Sequence, residues 1–137
     1  MRKIALDVGD VRIGIATSDP MGIIASGYET YTKTKSEEKD FTYFSELAKQ
    51  KLCDTFVLGL PINMDGTEGP RAIMVREFGE KLKKYTDIKV VFQDERLSTV
   101  SAEKALIEGG MRREQRKKVI DKVAASIILQ SYLDRIN

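Results

Sequence analysis

The chain has 137 residues, enough to bury one real core and too few for an enzyme of two lobes with a cleft between them, so a single domain over 1–137 is expected. Its 23 basic and 21 acidic side chains come with no histidine at all, which removes Ser-His and Cys-His nucleophile pairs and imidazole-built zinc sites and leaves carboxylate, lysine or a carboxylate-held metal for catalysis. With no long apolar run and no charged-then-apolar leader, neither a membrane span nor a signal peptide is expected, and a cytoplasmic protein is.

The first predicted element is "KIALDVGDVRIG", residues 3–14, which opens a hairpin with strands over 3–9 and 12–18. Alternation points Ile4, Leu6 and Val8 to one face and Ala5, Asp7 and Gly9 to the other. Asp10 suits the turn, but Asp7 lies inside the strand, where a buried carboxylate needs a cation, a metal or an opening to solvent. "IIASGYETY", 23–31, adds a third antiparallel strand, and Ser36 caps a helix whose Phe41, Phe44, Leu47 and Ala48 recur at helical spacing. The single cysteine, Cys53, excludes an internal disulfide and stands at the entry to "TFVLGL", 55–60, a continuous apolar strand of the kind covered on both faces.

"PINMDGTEG" follows, long for a plain connection, with Gly59, Gly66 and Gly69 permitting tight turns and Asn63, Asp65, Thr67 and Glu68 supplying polar groups. It reads as a loop that grips substrate, or as one that only caps itself. Pro70 is placed as a first helical residue, ahead of Met74, Val75, Phe78 and Leu82 on one side. "IKVVF", 88–92, reads as a further buried strand, followed by "DERLST" and a helix that stops at Gly109 and Gly110. A last helix runs from about Glu114 to Arg135 with Ile120, Ala124, Ile127 and Ile128 as its buried stripe and Asp121 on the stripe's border.

A three-strand meander followed by two strand-helix units predicts a mixed sheet with helices against it. Right-handed crossovers put the fourth strand beside the first and the fifth beside the fourth, all parallel, so their carboxyl ends share one edge. Asp7, the 61–69 loop and "DERLS" arrive there, and the small Ala124 and Ala125 let the last helix bring Asp121 toward it. Asp7, Glu95 and Asp121 converging without histidine suggest a metal-ion phosphoryl-transfer site, with two Mg²⁺ or Mn²⁺ ions about 4 Å apart activating water and steadying the leaving oxygen. Asp94 is a reserve ligand or a turn acid, and Asp121 could instead pair with Lys117, Lys118 or Lys122.

Residues 112–122 set Arg112, Arg113, Arg116, Lys117, Lys118 and Lys122 against Glu114 and Asp121, a local net of +4 that suits a phosphate backbone, or a solvated helix face. Arg12, Asn63, Arg71 and Arg96 join the candidate nucleic-acid contacts, and the amides that open the helix at Pro70 can receive a phosphate.

"LDVGDVRIGIATSD", "VLGLPINMDGTEGPRA", "DERLSTVSAE" and "RKKVIDKVAASIILQSYL" together resemble the successive signature blocks of the YqgF family, also called RuvX or Holliday-junction-resolvase-like proteins, in order and across nearly the whole chain. The resemblance implies an RNase H-like α/β fold: a five-stranded mixed sheet of order 3-2-1-4-5 with helices on both faces. It implies a metal-dependent nuclease that matures the 5′ end of pre-16S rRNA, with Holliday junction resolution in DNA recombination and repair as the older proposal for the family. It places the family's three acids on Asp7, Glu95 and Asp121. RNA is thereby the favoured partner and branched DNA the other, with precursor ribosomal particles as a setting and a monomer or homodimer as the working form. Asp10 stands where Thr or Lys is commoner, and Ser26-Gly27 where many members have proline nearby. Two other readings are weighed. An actin-like or sugar-kinase-like ATP site wants a hydroxyl residue soon after the glycine, which Asp10 and Val11 do not supply. A non-catalytic RNA-binding module for ribosome assembly would keep the fold and the basic helix.

Overall fold

In a computed structural model that describes residues 1–95 and 113–137, with backbone alone over 113–118, the chain begins with two antiparallel strands, β1 (Arg2–Val8) and β2 (Arg12–Ser18). The turn between them is closed by the Gly9 amide donating to the Arg12 carbonyl at 3.0 Å, and Asp7 faces Gly14 in the register.

β3 (Ala25–Thr32) pairs antiparallel with β2 and begins two residues later than expected. The reason is local: the Asp19 carboxylate accepts the amides of Met21, Ile23 and Ile24, which holds that stretch in a turn and leaves both isoleucines exposed. Those amide bonds also hold the Asp19 carboxyl below its ordinary range.

Ser36 caps α1 (Glu37–Gln50) by accepting from the Lys39 amide, with Glu37, Glu38 and Asp40 set favourably in the first turn. β4 (Cys53–Leu60) runs parallel to β1, and Pro70 opens α2 (Pro70–Leu82) behind Gly69. β5 (Lys89–Asp94) completes the sheet, and α3 (Arg113–Ile136) closes the described chain. The strand order is β3-β2-β1-β4-β5, as expected, with three helices among the described residues. The helix expected after "DERLST" lies outside the described residues.

The two faces of the sheet are unlike. Ile4, Leu6, Ile13, Ile15, Phe56 and Leu58 pack with the aromatic and aliphatic stripes of α1 and α2, including all four residues expected on α1. On the other face the sheet offers Ala5, Ala16 and Val57, and against them lie Ala125, Ile128, Leu129, Tyr132 and Leu133 of α3. Small residues on that face let α3 lie close to the strands, the arrangement that places its acidic residue. Cys53 is buried in the first core, where desolvation pushes its thiol up to about 11, so it packs and does not react.

Two expectations shift. β5 is half-buried instead of buried, because among the described residues it is an edge strand paired with β4 alone; Val90 and Phe92 lean on one core and Val91 on the other. The buried stripe of α3 is Ala124, Ala125, Ile128, Leu129, Tyr132 and Leu133, with Ile120 and Ile127 only half-buried at its border. The helix is rotated so that Ala124, Ala125, Ile128, Leu129, Tyr132 and Leu133, not Ile120 or Ile127, meet the sheet.

Candidate active site

Asp7 sits on the α3 face of β1, near the carboxyl ends of the parallel strands, in a gap that main chain creates on both sides. Gly14 opposes it on β2, and on β4 the position following the Leu6–Leu58 pair is Gly59. A β-carbon on Gly14 would lie 1.9 Å from the Asp121 carbonyl oxygen, and one on Gly59 would lie 2.4 Å from the Ile128 δ-methyl. Both glycines are therefore needed for close approach of α3. Gly59 was expected to serve a turn, yet it lies within β4 and admits a side chain from across the face. The same holds on β3, where a β-carbon on Gly27 would crowd the Lys122 carbonyl at 3.1 Å. Further along, Gln130 pins α3 to the start of β3, accepting from the Ala25 amide and donating to the Ile23 carbonyl, each at 2.9 Å.

Asp7, Val8, Gly59, Pro61, Arg71, Glu95 and Ile128 enclose a small cavity of about 60 Å³. Burial raises Asp7 to about 6; the neighbouring negative charge of Asp121 pushes in the same direction and the Arg71 guanidinium opposes it. Glu95 follows β5 and is positioned by its own backbone, whose amide donates to the Leu60 carbonyl at 3.0 Å. Burial raises its carboxyl to about 7, with a hydrogen bond from Ser131 opposing, and Asp94 and Asp7 adding to the rise. Glu95 Oε1 is buried and has no hydrogen-bond partner among the described residues. Two carboxylates thus share a desolvated space that holds them poorly as anions.

Asp121 is turned elsewhere. Its Oδ2 accepts from Arg12 Nε, on the first residue of β2, at 2.8 Å; Lys122 makes no ion pair with it, and the side chains of Lys117 and Lys118 lie outside the described residues. It does not line the cavity, and among the described residues no group of three His, Cys, Asp or Glu side chains is close enough to hold an ion. Asp94 ends β5 with an exposed side chain.

Arg71 lines the cavity and lies 3.8 Å from Asp10 across the mouth, a loose and largely exposed pair. Asn63 does not reach the cavity: its side-chain amide donates to Thr67 Oγ1 at 3.1 Å and its backbone amide to the Thr67 carbonyl at 2.9 Å. The acids of the loop are likewise engaged, Asp65 with the Thr67 amide and hydroxyl, and Glu68 with Arg76 through a two-pronged pair at 2.6 and 2.7 Å. Among the described residues these loop side chains bond within the loop and to α2. Arg96 and Arg112 lie outside the described residues, and for Arg113, Arg116, Lys117 and Lys118 the described part is the helical backbone of the opening turns of α3.

Sequence reasoning missed Gly14 and Ser131. A glycine inside the strand pattern "RIGIA" signals close approach of another backbone. Ser131 follows Ile128 by three residues and so shares its side of α3.

A family model described as "RuvX: Holliday junction resolvase" matches residues 1–135. A relative from Streptococcus thermophilus (strain ATCC BAA-491 / LMD-9), named "Putative pre-16S rRNA nuclease", is 48% identical over 139 residues and 99% of each chain. Another of that name from Syntrophomonas wolfei is 48% identical over 134 residues, 98% of this chain and 94% of its own. Among solved structures, fowlpox virus resolvase with Holliday junction DNA aligns at a TM-score of 0.58 with 10% identity over 99% of both chains. RuvC of T. thermophilus in complex with a Holliday junction substrate aligns at 0.55 with 11% identity over 100% of this chain and 96% of that one. At such identities the likeness is one of fold.

Proposed function

Because the chain belongs to the YqgF/RuvX family, we propose that it is a single-domain, metal-dependent endonuclease that hydrolyses phosphodiester bonds in the 5′-end maturation of pre-16S rRNA, with Asp7, Glu95 and Asp121 as its acidic centre. The observation that carries this reading is the pair Asp7 and Glu95 around one desolvated cavity, both raised far above ordinary carboxylates, with a buried Glu95 oxygen lacking a partner.

The donor set fits a hard divalent cation. It is made of oxygen alone, its negative charges are crowded, and one buried lone-pair site is unused. Asp7 and Glu95 would hold a Mg²⁺ or Mn²⁺ ion, and Asp121 would join them, or complete a second site, on leaving Arg12. Such an ion supplies positive charge for the phosphoryl oxygens and makes a nearby water more acidic. The remaining work falls to the chain. Arg71 at the cavity and Arg12 beside it neutralise a phosphate entering between them. The basic opening of α3, with Arg112, Arg113, Arg116, Lys117, Lys118 and Arg96 before it, binds the flanking backbone. Burial around Asp7 excludes bulk water, so charge near the phosphorus is felt strongly.

The second reading, resolution of four-way DNA junctions, is favoured by the family description and by the resolvases that share the fold. A cytoplasmic setting, precursor ribosomal particles as partner and a monomer or homodimer as the active form belong to the same proposal. No described helix is long and apolar enough to cross a membrane.

The test is cleavage of end-labelled precursor ribosomal RNA and of a synthetic four-way junction with Mg²⁺, with Mn²⁺ and with chelator. Wild type should cut only with a divalent ion, and Asp7→Asn and Asp121→Asn should each lose activity by on the order of a hundredfold or more. The preferred substrate decides between the two nuclease readings. Binding without cutting would leave a nucleic-acid-binding module, and full activity in Asp7→Asn would remove Asp7 from the catalytic centre.

A further inference from the structure

Arg12 and Asp121 stand 109 residues apart in the chain and meet through one bond of 2.8 Å. Both ends are held by main chain. The turn that carries Arg12 is fixed by the Gly9 amide on the Arg12 carbonyl and by the Lys33 amide on the Val11 carbonyl at 2.9 Å. Asp121 is fixed by the seating of its own backbone over Gly14. The pair is therefore formed without adjustment of either element. Its two side chains differ in access: the arginine is 47% exposed and the carboxylate 21%. A phosphate arriving from solvent can reach the guanidinium, whereas a cation that takes Asp121 Oδ2 must displace Arg12 from it.

We propose that Arg12 is a counter-ion latch on the acidic centre, paired with Asp121 in the free protein and transferred to a backbone phosphate of the nucleic acid when Asp121 turns to a divalent cation. The proposal rests on the reading of Asp121 as a cation ligand. One ion pair is exchanged for two, the guanidinium passing from carboxylate to phosphate, which its planar fork also fits. The exchange couples two binding events. Cation binding frees Arg12 for phosphate, phosphate binding frees Asp121 for cation, and each must strengthen the other by the same factor. A centre latched in this way is reluctant to take up a free ion and readier to do so with nucleic acid in place.

The test is titration calorimetry of Mn²⁺ into wild type, Arg12→Gln, Asp121→Asn and the double variant, without nucleic acid. Fluorescence anisotropy of a labelled RNA hairpin and a labelled four-way junction, with Ca²⁺ or with chelator, accompanies it. Arg12→Gln should bind Mn²⁺ roughly two- to fivefold more tightly than wild type, the range expected for loss of a partly exposed competing ion pair. That gain should vanish in the Asp121→Asn background, and the Ca²⁺-dependent rise in nucleic-acid affinity should shrink in Arg12→Gln. Arg12→Lys, which keeps the charge and loses the Nε donor, should fall between. If Arg12→Gln gains nothing while Asp121→Asn weakens Mn²⁺ binding, the latch is wrong and the acidic centre stands. An equal gain in both backgrounds also overturns the latch, since removal of any positive charge would produce it. If Asp121→Asn binds Mn²⁺ as wild type does both without nucleic acid and with the hairpin or junction bound, Asp121 is no ligand, and the reading of the centre fails together with the latch.

Discussion

The Asp121 carbonyl oxygen fills the space that a β-carbon on Gly14 would need, so that the last helix touches the second strand backbone to backbone at the level of Asp7. This contact sets how far Asp121 stands from the cavity.

Gly14→Ala should therefore lower stability by about 3 kcal/mol, because the obstruction is main chain that cannot rotate away. Gly27→Ala, facing the Lys122 carbonyl at 3.1 Å, should cost clearly less. Urea denaturation of the two variants gives the ranking, and an equal cost would show that α3 moves freely over β2.

The raised carboxyl of Asp7 makes a prediction about pH with a definite sign. An acid that goes from an ordinary 3.8 to about 6 on folding favours the protonated native state, so its contribution to stability is fully present below 3.8 and is lost as pH rises through 6. The loss amounts to about 3 kcal/mol. Asp7→Asn should then stabilise the metal-free protein by about that amount at pH 8 and by almost nothing at pH 3.5. Denaturation in chelator at both values measures it; a destabilised Asn variant at pH 8 would mean that Asp7 has a cationic partner strong enough to outweigh its burial.

Divalent cation should act in the opposite sense. Binding requires Asp7 and Glu95 as anions, so Mg²⁺ or Mn²⁺ should raise the melting temperature at pH 8 and have little effect at pH 5. The shift should disappear in Asp7→Asn. A thermal melt with and without ion, at each pH, is sufficient, and an equal shift at pH 5 would argue for a site elsewhere.

The Ser131 hydroxyl beside Glu95 favours its charged form. Ser131→Ala should raise the Glu95 carboxyl further and move the rise of cleavage with pH toward higher pH, at a stability cost of about 1 kcal/mol. The displaced pH profile is the diagnostic part, since loss of a purely structural hydroxyl would lower the rate at every pH alike.

Much of this site is written locally. Alternation alone assigns Asp7 to the face opposite Ile4, Leu6 and Val8, and Ser36 and Pro70 mark their helices because capping and a fixed φ act over a few residues. What sequence reading misplaced depends on contacts between distant segments. Asp19 captured amides that β3 would have used. The stripe of α3 keeps Ala124 and Ile128 from the expected set but leaves Ile120 and Ile127 at its border, because the helix seats over the glycines beneath it. Asp121 has a partner at residue 12, 109 positions away, which spacing along the helix, with three lysines within four positions, could not nominate. Helical spacing can nominate those neighbours, but only the folded sheet brings Arg12 to the same place.

The 61–69 loop has a kinetic consequence. Its Asn63, Asp65, Thr67 and Glu68 side chains all make hydrogen bonds within the loop or to Arg76, so much of its polar surface is already paired in the free protein. If a strand docks at this edge, the loop's own paired side chains should add little ordering entropy to the encounter. Capture at this edge should be set by diffusion and charge, with rates that fall steeply as salt is added and change little with solvent viscosity beyond its effect on diffusion.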